Sequence, residues 1–373
     1  MSFYNEIQKY KNFDFKTFTD KILDNEVLNI INNKNLSDLS EQDFLVLLSP
    51  KALNHIERIA KKSNKITVNN FGKSILLYAP LYVSNFCINN CLYCGFSTNN
   101  NIKRKTLNFK EIEKNCKIIN GYGICHILLV CAESRIKTSL EYLKKSIEIL
   151  KKYFNAVDLE IYPLEENEYR EFFNAGVSGL TVYQESYDEN LYKSLHTKGT
   201  KTDYKYRLET CERAGKANYR NLNVGALLGL KDFISEVFFA GIHAQYLKKK
   251  FPHAEIGISF PRLRPAEGGF QPKTTITDIQ LVQAICAVRI FINRINITIS
   301  TRESSKLRNN IIPLGITKMS AGSSTEVGGY IKRIKQDEVL SKGQFIINDI
   351  ASVASVKDMI YKAGYQPVMK DMF

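Results

Sequence analysis

Eight short apolar runs, rich in β-branched residues, alternate with amphipathic stretches along this 373-residue chain and limit its fold more than any other feature. Strands that alternate with helices are typical of βα units around a parallel sheet, and eight such units predict a closed barrel. The sequence therefore predicts an α/β protein with a (β/α)8 TIM-type barrel. The runs lie at residues 75–83, 125–130, 157–162, 179–183, 222–227, 255–260, 296–300 and 315–320.

Two regions flank the alternating part of the chain. In the first, apolar and charged residues follow helical spacing, as between Phe44 and Leu48. We therefore expect a helical N-terminal extension at residues 1–70, the barrel at 71–330 and a short C-terminal extension at 331–373.

Capping signals mark the starts of helices between the apolar runs. Asn108 followed by Glu111 is a capping-box pair, and Thr138 followed by Glu141 repeats the pattern. Each pair predicts the first turn of an amphipathic helix.

Composition limits the classes of protein that remain. No stretch approaches the eighteen apolar residues that a membrane span needs, and residues 1–10 do not resemble a signal peptide. The eight cysteines are scattered, which favours thiols over a disulfide framework. We expect a cytoplasmic protein in a reducing environment.

The net charge of +14 raises a different class, an RNA-binding or RNA-modifying protein. However, the basic residues are spread along the chain, and the local runs at 103–105 and 248–250 are short. A solvated basic surface is the favoured interpretation, and we expect neither a nucleic-acid nor a membrane partner.

Three cysteines stand close together directly after the first apolar run. Cys87, Cys91 and Cys94 have C-x3-C-x2-C spacing. Thiolates are the usual ligands of iron–sulfur clusters, and three ligands on a four-iron cluster leave one iron open to a small cofactor. A structural zinc site normally needs four ligands in two pairs, and the sequence has no second pair. The spacing predicts a [4Fe-4S] cluster in preference to zinc.

With the aromatic Tyr93 before its third cysteine, this segment resembles the C-x3-C-x-aromatic-C motif of radical S-adenosylmethionine (SAM) enzymes. The resemblance implies a radical SAM barrel with a [4Fe-4S] cluster and SAM as cofactors, and it places Tyr93 on the cofactor side of the site. It also implies reductive cleavage of SAM to methionine and a 5'-deoxyadenosyl radical.

Six further blocks resemble the tyrosine lyase, or 2-iminoacetate synthase, family of thiazole (thiamine) biosynthesis. This resemblance implies cleavage of the Cα–Cβ bond of L-tyrosine to 2-iminoacetate (dehydroglycine) and 4-cresol. It also implies a complex with thiazole synthase and an electron donor such as flavodoxin or ferredoxin. The blocks are PLYVSN at 80–85, IKRKTL at 102–107, VYQESY at 182–187, SFPRLRP at 259–265, STRE at 300–303 and GGY at 328–330.

The same resemblance assigns residues to SAM. Glu133 matches the acidic residue that hydrogen-bonds the SAM amino group, although Ala132 replaces the usual glycine before it. A methyl group at that position requires a negative φ. Leu227, between Gly225 and Gly229, resembles the aliphatic residue that packs on adenine.

Substrate residues are implied by the late blocks. Arg302, with Ser300, resembles the pair that holds the substrate carboxylate, a task that suits the guanidinium fork. Arg262 and Arg264 follow the preceding strand candidate and are expected to assist, with a surface ion pair as the alternative for each.

Alternatives remain within the radical SAM enzymes. The hydrogenase maturase that also cleaves tyrosine carries a second cluster on C-terminal cysteines, whereas no cysteine follows Cys286 in this sequence. A tryptophan lyase and the deazaflavin synthase subunits are more distant possibilities. The roles of Glu185 and His196 are left open.

Overall fold

The computed structural model describes residues 2–334 and 343–370. Within them, eight parallel strands pair in chain order, and β1 also pairs with β8, so the sheet closes. The predicted barrel is confirmed. Its strands are β1 (Ser74–Ser84), β2 (His126–Cys131), β3 (Ala156–Glu160), β4 (Gly179–Glu185), β5 (Asn221–Ala226), β6 (Glu255–Ser259), β7 (Asn296–Ile299) and β8 (Lys318–Ser320).

The last barrel strand is shorter than the sequence predicted. Residues Ile312–Leu314 form a 3-10 turn, and Gly315 then adopts a φ of 138°, which favours glycine. The chain needs this reversal to leave the outer helix and enter the sheet. The strand therefore starts at Lys318 rather than at residue 315.

A ninth strand, β9 (Gln366–Val368), joins the sheet and was not predicted. It pairs with the first residues of β1, on the side opposite β8. The backbone N–H of Cys125 donates to the carbonyl of Met369, so β9 also holds the start of β2. Part of the C-terminal extension thus completes the amino-terminal rim of the barrel.

Helices surround the sheet, and none in the described part of the chain combines the length and hydrophobicity needed to cross a bilayer. They are α1 (Phe3–Gln8), α2 (Phe15–Asp20), α3 (Asp24–Asn32), α4 (Glu41–Leu48), α5 (Ile56–Phe71), α6 (Phe109–Gly121), α7 (Leu140–Leu150), α8 (Glu166–Asn174), α9 (Glu189–Leu195), α10 (Tyr204–Leu208), α11 (Thr210–Lys216), α12 (Phe233–Lys250), α13 (Asp278–Phe291), α14 (Ser305–Ile311), α15 (Gly329–Ile334) and α16 (Val353–Lys362).

The N-terminal helices pack against the outside of the barrel rather than across its openings. Helix α4 lies on α12 and α13, and α5 lies on α13. The ring of Phe44 stacks on Phe291 with centroids 4.5 Å apart, and Gly241 of α12 leaves space for the edge of the same ring. This packing fixes the helical extension to the barrel wall.

One predicted cap is confirmed and one is wrong. Asn108 and Glu111 form the predicted capping box. Thr138 does not cap the next helix, because its hydroxyl donates to the carbonyl of Ser134 while Ser139 provides the N-cap.

The barrel interior is polar at both ends. A cavity of about 480 Å³ opens at the amino-terminal end and is bordered by Asp158, Asn223 and Lys318. The carboxyl-terminal end carries the loops after the strands, where barrels of this type place their chemistry.

Candidate functional site

The loop after β1 brings the three motif cysteines together. The N–H of Cys94 donates to the carbonyl of Cys91 at 3.1 Å, which makes a tight turn between two of them. Cys91 is buried, and Cys87 and Cys94 are partly buried. The Cys91 thiol lies close enough to both others for their charges to raise its pKa. The three thiols therefore lie near one another.

The chemistry of these thiols fits a cluster. Burial is the main reason that the pKa of Cys91 rises to about 12, and the neighbouring cysteines add to it. A buried thiol of this kind becomes a thiolate when a cation binds it. Among the described residues, no three His, Cys, Asp or Glu side chains converge on a single-ion position. A four-iron cluster presents separate irons to its three ligands, so they need not meet at one point.

Glu133 follows β2 and is held against the cysteine loop. Its carboxylate accepts hydrogen bonds from Asn89 Nδ2 at 2.6 Å and from the Thr200 hydroxyl. Its backbone carbonyl accepts from the N–H of Ile88 at 2.9 Å. Ala132, which replaces the usual glycine, does not have a positive φ, so its methyl group is accommodated. Glu133 is therefore a fixed carboxylate beside the cysteines.

Tyr93 and His196 form a buried pair under the loop. The Tyr93 hydroxyl lies 2.7 Å from His196 Nε2, and His196 Nδ1 lies 2.7 Å from the Tyr192 carbonyl. A carbonyl only accepts, so Nδ1 carries the proton and Nε2 accepts from Tyr93. Burial lowers the pKa of His196 to about 3, which keeps the ring neutral. Leu227 lies in the same apolar cluster as Tyr93.

Gly225 and Gly229 flank Leu227, and each position requires glycine for a different structural reason. A Cβ atom on Gly225 would collide with the carbonyl of Ser259 on β6, so the close approach is between strands. Gly229 has a φ of 112°, which favours glycine.

A charged cluster at the end of β4 was missed by the sequence analysis. Glu185 has a φ of 70° at a β-bulge, an uncommon conformation for a non-glycine residue. Its carboxylate accepts from Lys201 Nζ at 2.6 Å and from Arg207 Nη2 at 3.4 Å. Although burial raises the pKa of Glu185, these two cations hold it below its ordinary value. Only the post-strand position of Glu185 signalled this cluster.

Two of the three predicted arginines are already committed to protein groups. Arg262 donates from Nε to Glu303 at 2.9 Å and from Nη1 to the Ile276 carbonyl at 2.9 Å. It also pairs with Asp278 at 2.8 Å. Arg264 donates to the same Glu303 oxygen at 2.7 Å. Because the donors of Arg262 are occupied and Arg264 is already paired with Glu303, both are poorly placed to take a substrate carboxylate.

Arg302 is held differently. Its guanidinium carbon lies 3.3 Å from the centroid of the Phe345 ring. Within the described residues, the guanidinium donates a single long hydrogen bond, from Nη1 to the Arg262 carbonyl at 3.5 Å. No ion pair joins Arg302 to any carboxylate among residues 2–334 and 343–370. The Ser300 hydroxyl accepts from the Arg302 backbone N–H at 3.4 Å. Arg302 thus keeps a free guanidinium fork beside Ser300.

Residues from the C-terminal extension cover this end of the barrel, which the sequence did not indicate. The carbonyl of Gln344 accepts from the N–H of Gly95 at 3.0 Å, and its side chain accepts from the Tyr82 hydroxyl at 2.9 Å. Its amide nitrogen lies 3.9 Å from Cys94 Sγ. A Cβ at Gly95 would lie 2.6 Å from the Gln344 carbonyl, so glycine is required for this contact.

Two family models match the chain. The Radical SAM superfamily model matches residues 81–237, and the Biotin and Thiamin Synthesis associated domain matches residues 259–366. The first covers the cysteine loop, and the second covers the arginines and the C-terminal cover.

Relatives cover almost the whole chain. It is 38% identical over 369 residues to the 2-iminoacetate synthase of Salmonella typhimurium, covering 95% of this chain and 97% of the relative. It is 38% identical over 338 residues to the Escherichia coli K12 2-iminoacetate synthase, covering 90% and 88%. Among solved structures, the hydrogenase maturase HydG has a TM-score of 0.90 at 28% identity, covering 98% of this chain and 80% of that one.

Proposed function

The chain belongs to the 2-iminoacetate synthase family of the radical SAM superfamily, and from this membership we propose how its barrel performs the reaction. It is a radical SAM lyase that cleaves the Cα–Cβ bond of L-tyrosine to 2-iminoacetate and 4-cresol for thiamine biosynthesis. The 38% identity over 95% of the chain to a 2-iminoacetate synthase carries this conclusion. The hydrogenase maturase also matches in fold, but at lower identity.

We propose that Cys87, Cys91 and Cys94 hold the [4Fe-4S] cluster and that Glu133 receives the SAM amino group. When bound, the cluster and SAM together supply a 5'-deoxyadenosyl radical that takes a hydrogen atom from the substrate. The three thiols lie near one another, which supports the first assignment. The fixed carboxylate of Glu133 can accept from an ammonium group, which supports the second.

Tyr93 and Leu227 are proposed to form the apolar side of the SAM site. Both lie in one buried cluster with Cys91, directly under the cysteine loop. The hydrogen bond to His196 fixes the Tyr93 ring, and this gives His196 a positioning role. We keep the division into residues 1–70, 71–330 and 331–373 as a functional proposal, in which the part of the last segment near Gln344 covers the site.

Substrate orientation is assigned to Arg302 and Ser300. The free fork of Arg302 matches the two oxygens of a carboxylate. Arg262, which was also expected to bind substrate, is proposed to act through Glu303 instead, because its donors are used there. Radical abstraction needs the target atom held near the radical carbon, so the anchor controls the rate.

Further proposals concern partners and location. Because 2-iminoacetate hydrolyses in water, we propose direct transfer to thiazole synthase, with flavodoxin or ferredoxin as the electron donor. All eight cysteines are free thiols, which suits a location in the reducing cytoplasm.

Anaerobic turnover of reconstituted protein with SAM, reductant and L-tyrosine tests the function. We expect 4-cresol and 2-iminoacetate in equal amounts, with about four irons per chain. Failure to form 4-cresol would contradict the proposal. Cyanide beside 4-cresol, with about eight irons per chain, would indicate a maturase activity instead.

A further inference from the structure

The third barrel strand ends in a carboxyl group that no step described above uses. Glu160 is the last residue of β3 and stands two residues after Asp158. Alternate residues of a strand share a face, and Asp158 borders the inner cavity. Glu160 therefore points into the barrel, nearer the end that carries the cysteine loop.

Glu160 has no hydrogen-bond or ion-pair partner among the described residues. Its side chain nevertheless keeps some accessible surface. Burial raises the pKa of its carboxyl to about 7. Leaving such a group unpaired costs stability, so an unpaired carboxyl that a small molecule can reach suggests a missing ligand.

The surroundings of Glu160 define the ligand. Its charge influences the hydroxyls of Tyr78, Tyr82 and Tyr183, so three aromatic rings lie near it. Arg302 is the strongest cationic influence on Glu160. The two side chains attract each other without forming an ion pair within the described chain. Glu160 ends β3 and Arg302 follows β7, and these two strands lie on opposite sides of the barrel.

Other cations near Glu160 are already used. Lys201 and Arg207 influence the pKa of Glu160 more weakly than Arg302 does, and both contact Glu185. Their charge is therefore largely balanced. The remaining pair, Glu160 and Arg302, presents one negative and one positive group between aromatic walls, which is the complement of an aromatic amino-acid zwitterion.

We propose that Glu160 binds the ammonium group of the substrate while Arg302 binds its carboxylate. The proposal deepens the proposed function and rests on it. An ionised carboxylate that receives an ammonium group forms a charge-assisted hydrogen bond, which is stronger in a site that excludes water. Two opposite anchors fix both ends of the amino-acid backbone and therefore the Cα–Cβ bond between them.

Ligand binding without turnover tests this assignment. Cluster-loaded protein with SAM and no reductant would be titrated with L-tyrosine, with tyramine, which lacks the carboxylate, and with 3-(4-hydroxyphenyl)propanoate, which lacks the amine. In Glu160→Gln, we expect tyrosine and tyramine to bind about tenfold more weakly or worse, and the propanoate to be nearly unchanged. In Arg302→Gln, tyrosine and the propanoate should bind more weakly, whereas the affinity for tyramine should not change.

Glu236→Gln is the matched control. Burial also raises the pKa of Glu236 to about 7, but its carboxylate accepts from the Ser186 hydroxyl and the Tyr187 N–H. This variant should leave the relative affinities of the three ligands unchanged. If Glu160→Gln fails to load a cluster, Glu160→Asp is tested in its place. Because Glu160→Asp keeps the negative charge, it should keep a preference for the two ligands that carry an amine.

The outcomes separate two failures. If Glu160→Gln weakens all three ligands equally, or leaves tyrosine binding unchanged, Glu160 does not bind the ammonium group. If Glu160→Asp loses its preference for ligands with an amine, the assignment is also overturned. If the wild-type protein neither binds tyrosine nor forms 4-cresol, the proposed function itself is wrong.

Discussion

Two carboxyl groups on one strand show how the ends of this barrel differ. Asp158 and Glu160 are two residues apart on β3 and share the inner face. Asp158 Oδ2 lies 2.7 Å from His126 Nε2 and accepts from Lys318 Nζ at 3.2 Å. Despite the opposing effect of burial, these partners hold its pKa well below the ordinary value. Glu160 has no such partner within the described residues, and burial raises its pKa to about 7.

The difference lies in the partners that the fold gives to each carboxyl group. At the amino-terminal end, His126 of β2 and Lys318 of β8 both contact Asp158 Oδ2, so this carboxylate has partners within the fold itself. At the other end, neither Glu160 nor Arg302 forms an ion pair with any residue that the structure describes. A buried charge without a partner is costly, and it persists where binding a ligand restores the balance. This contrast supports the proposal that the carboxyl-terminal end of the barrel binds the substrate.

Removal of a cluster ligand should have the largest effect at the open end. We expect Cys91→Ala to lose the cluster and all 4-cresol formation, because three thiolates are needed to hold it. Iron content and product analysis would measure this. Cys116→Ala is the control, since Cys116 is a fully buried cysteine of α6 outside the loop. Retention of a SAM-responsive cluster in Cys91→Ala would contradict the ligand assignment.

Breaking the closed end should damage stability instead of binding. Asp158→Asn leaves Lys318 without its buried counter-charge, and we expect a loss of about 3–5 kcal/mol in the free energy of unfolding. Glu171→Gln, which removes an exposed pair with Lys144, should cost less than about 1 kcal/mol. Urea unfolding measures both.

The pH dependence gives this prediction a sign. The folded-state pKa of Asp158 is lowered, so the ionised carboxylate contributes to the free energy of unfolding above the ordinary aspartate pKa. This contribution is lost as the pH falls below about 4. The difference between wild type and Asp158→Asn should shrink there. If Asp158→Asn folds normally but binds tyrosine more weakly, the proposed difference between the two ends of the barrel is contradicted.

Loss of the carboxylate anchor should uncouple the reaction. In Arg302→Ala we expect 4-cresol formation to fall about a hundredfold or more, because the substrate is no longer held near the radical carbon. The cluster and its SAM-dependent spectral change should survive, and any 5'-deoxyadenosine should exceed product. Arg135→Ala, at an exposed pair with Glu168, is the control. If Arg302→Ala forms 4-cresol at the wild-type rate, Arg302 is not the anchor of the substrate carboxylate.

Neutralising Glu160 is expected to have the smallest effect. It should raise the free energy of unfolding, whereas neutralising Asp158 should lower it. The folded-state pKa of about 7 exceeds the ordinary glutamate value, so ionisation destabilises the empty protein as the pH rises. Glu160→Gln should therefore raise the free energy of unfolding by about 1–3 kcal/mol at pH 8 and change it little at pH 5. Thermal unfolding at the two pH values checks this. A destabilised variant at pH 8 would show that Glu160 is structural.

Local features of the chain were enough to predict the barrel and the cysteine loop. All eight strand candidates are strands, because their apolar periodicity is a property of neighbouring residues. The ninth strand was missed because Gln366–Val368 is short and contains a proline. The cap at Thr138 was wrong because Ser139, one residue later, has the same chemistry.

The assignment of arginines shows where sequence reasoning stopped. Arg262 and Arg302 both follow strands and both occur in family-like blocks. The structure separates them, because Glu303 lies between Arg262 and Arg264 while Arg302 stacks on Phe345. Residues this far apart in sequence give no local signal of which guanidinium remains free.

The sequence by itself determined the barrel, the cluster loop and the family of this protein, because periodicity and spacing are carried by adjacent residues. Only the tertiary structure decided which buried charges are satisfied. Asp158 and Glu160 are similar in sequence, but closure of the barrel brings His126 and Lys318 to the first and leaves the second facing Arg302. Electrostatic pairing depends on distance in space, and that distance is fixed when the last strand closes against the first.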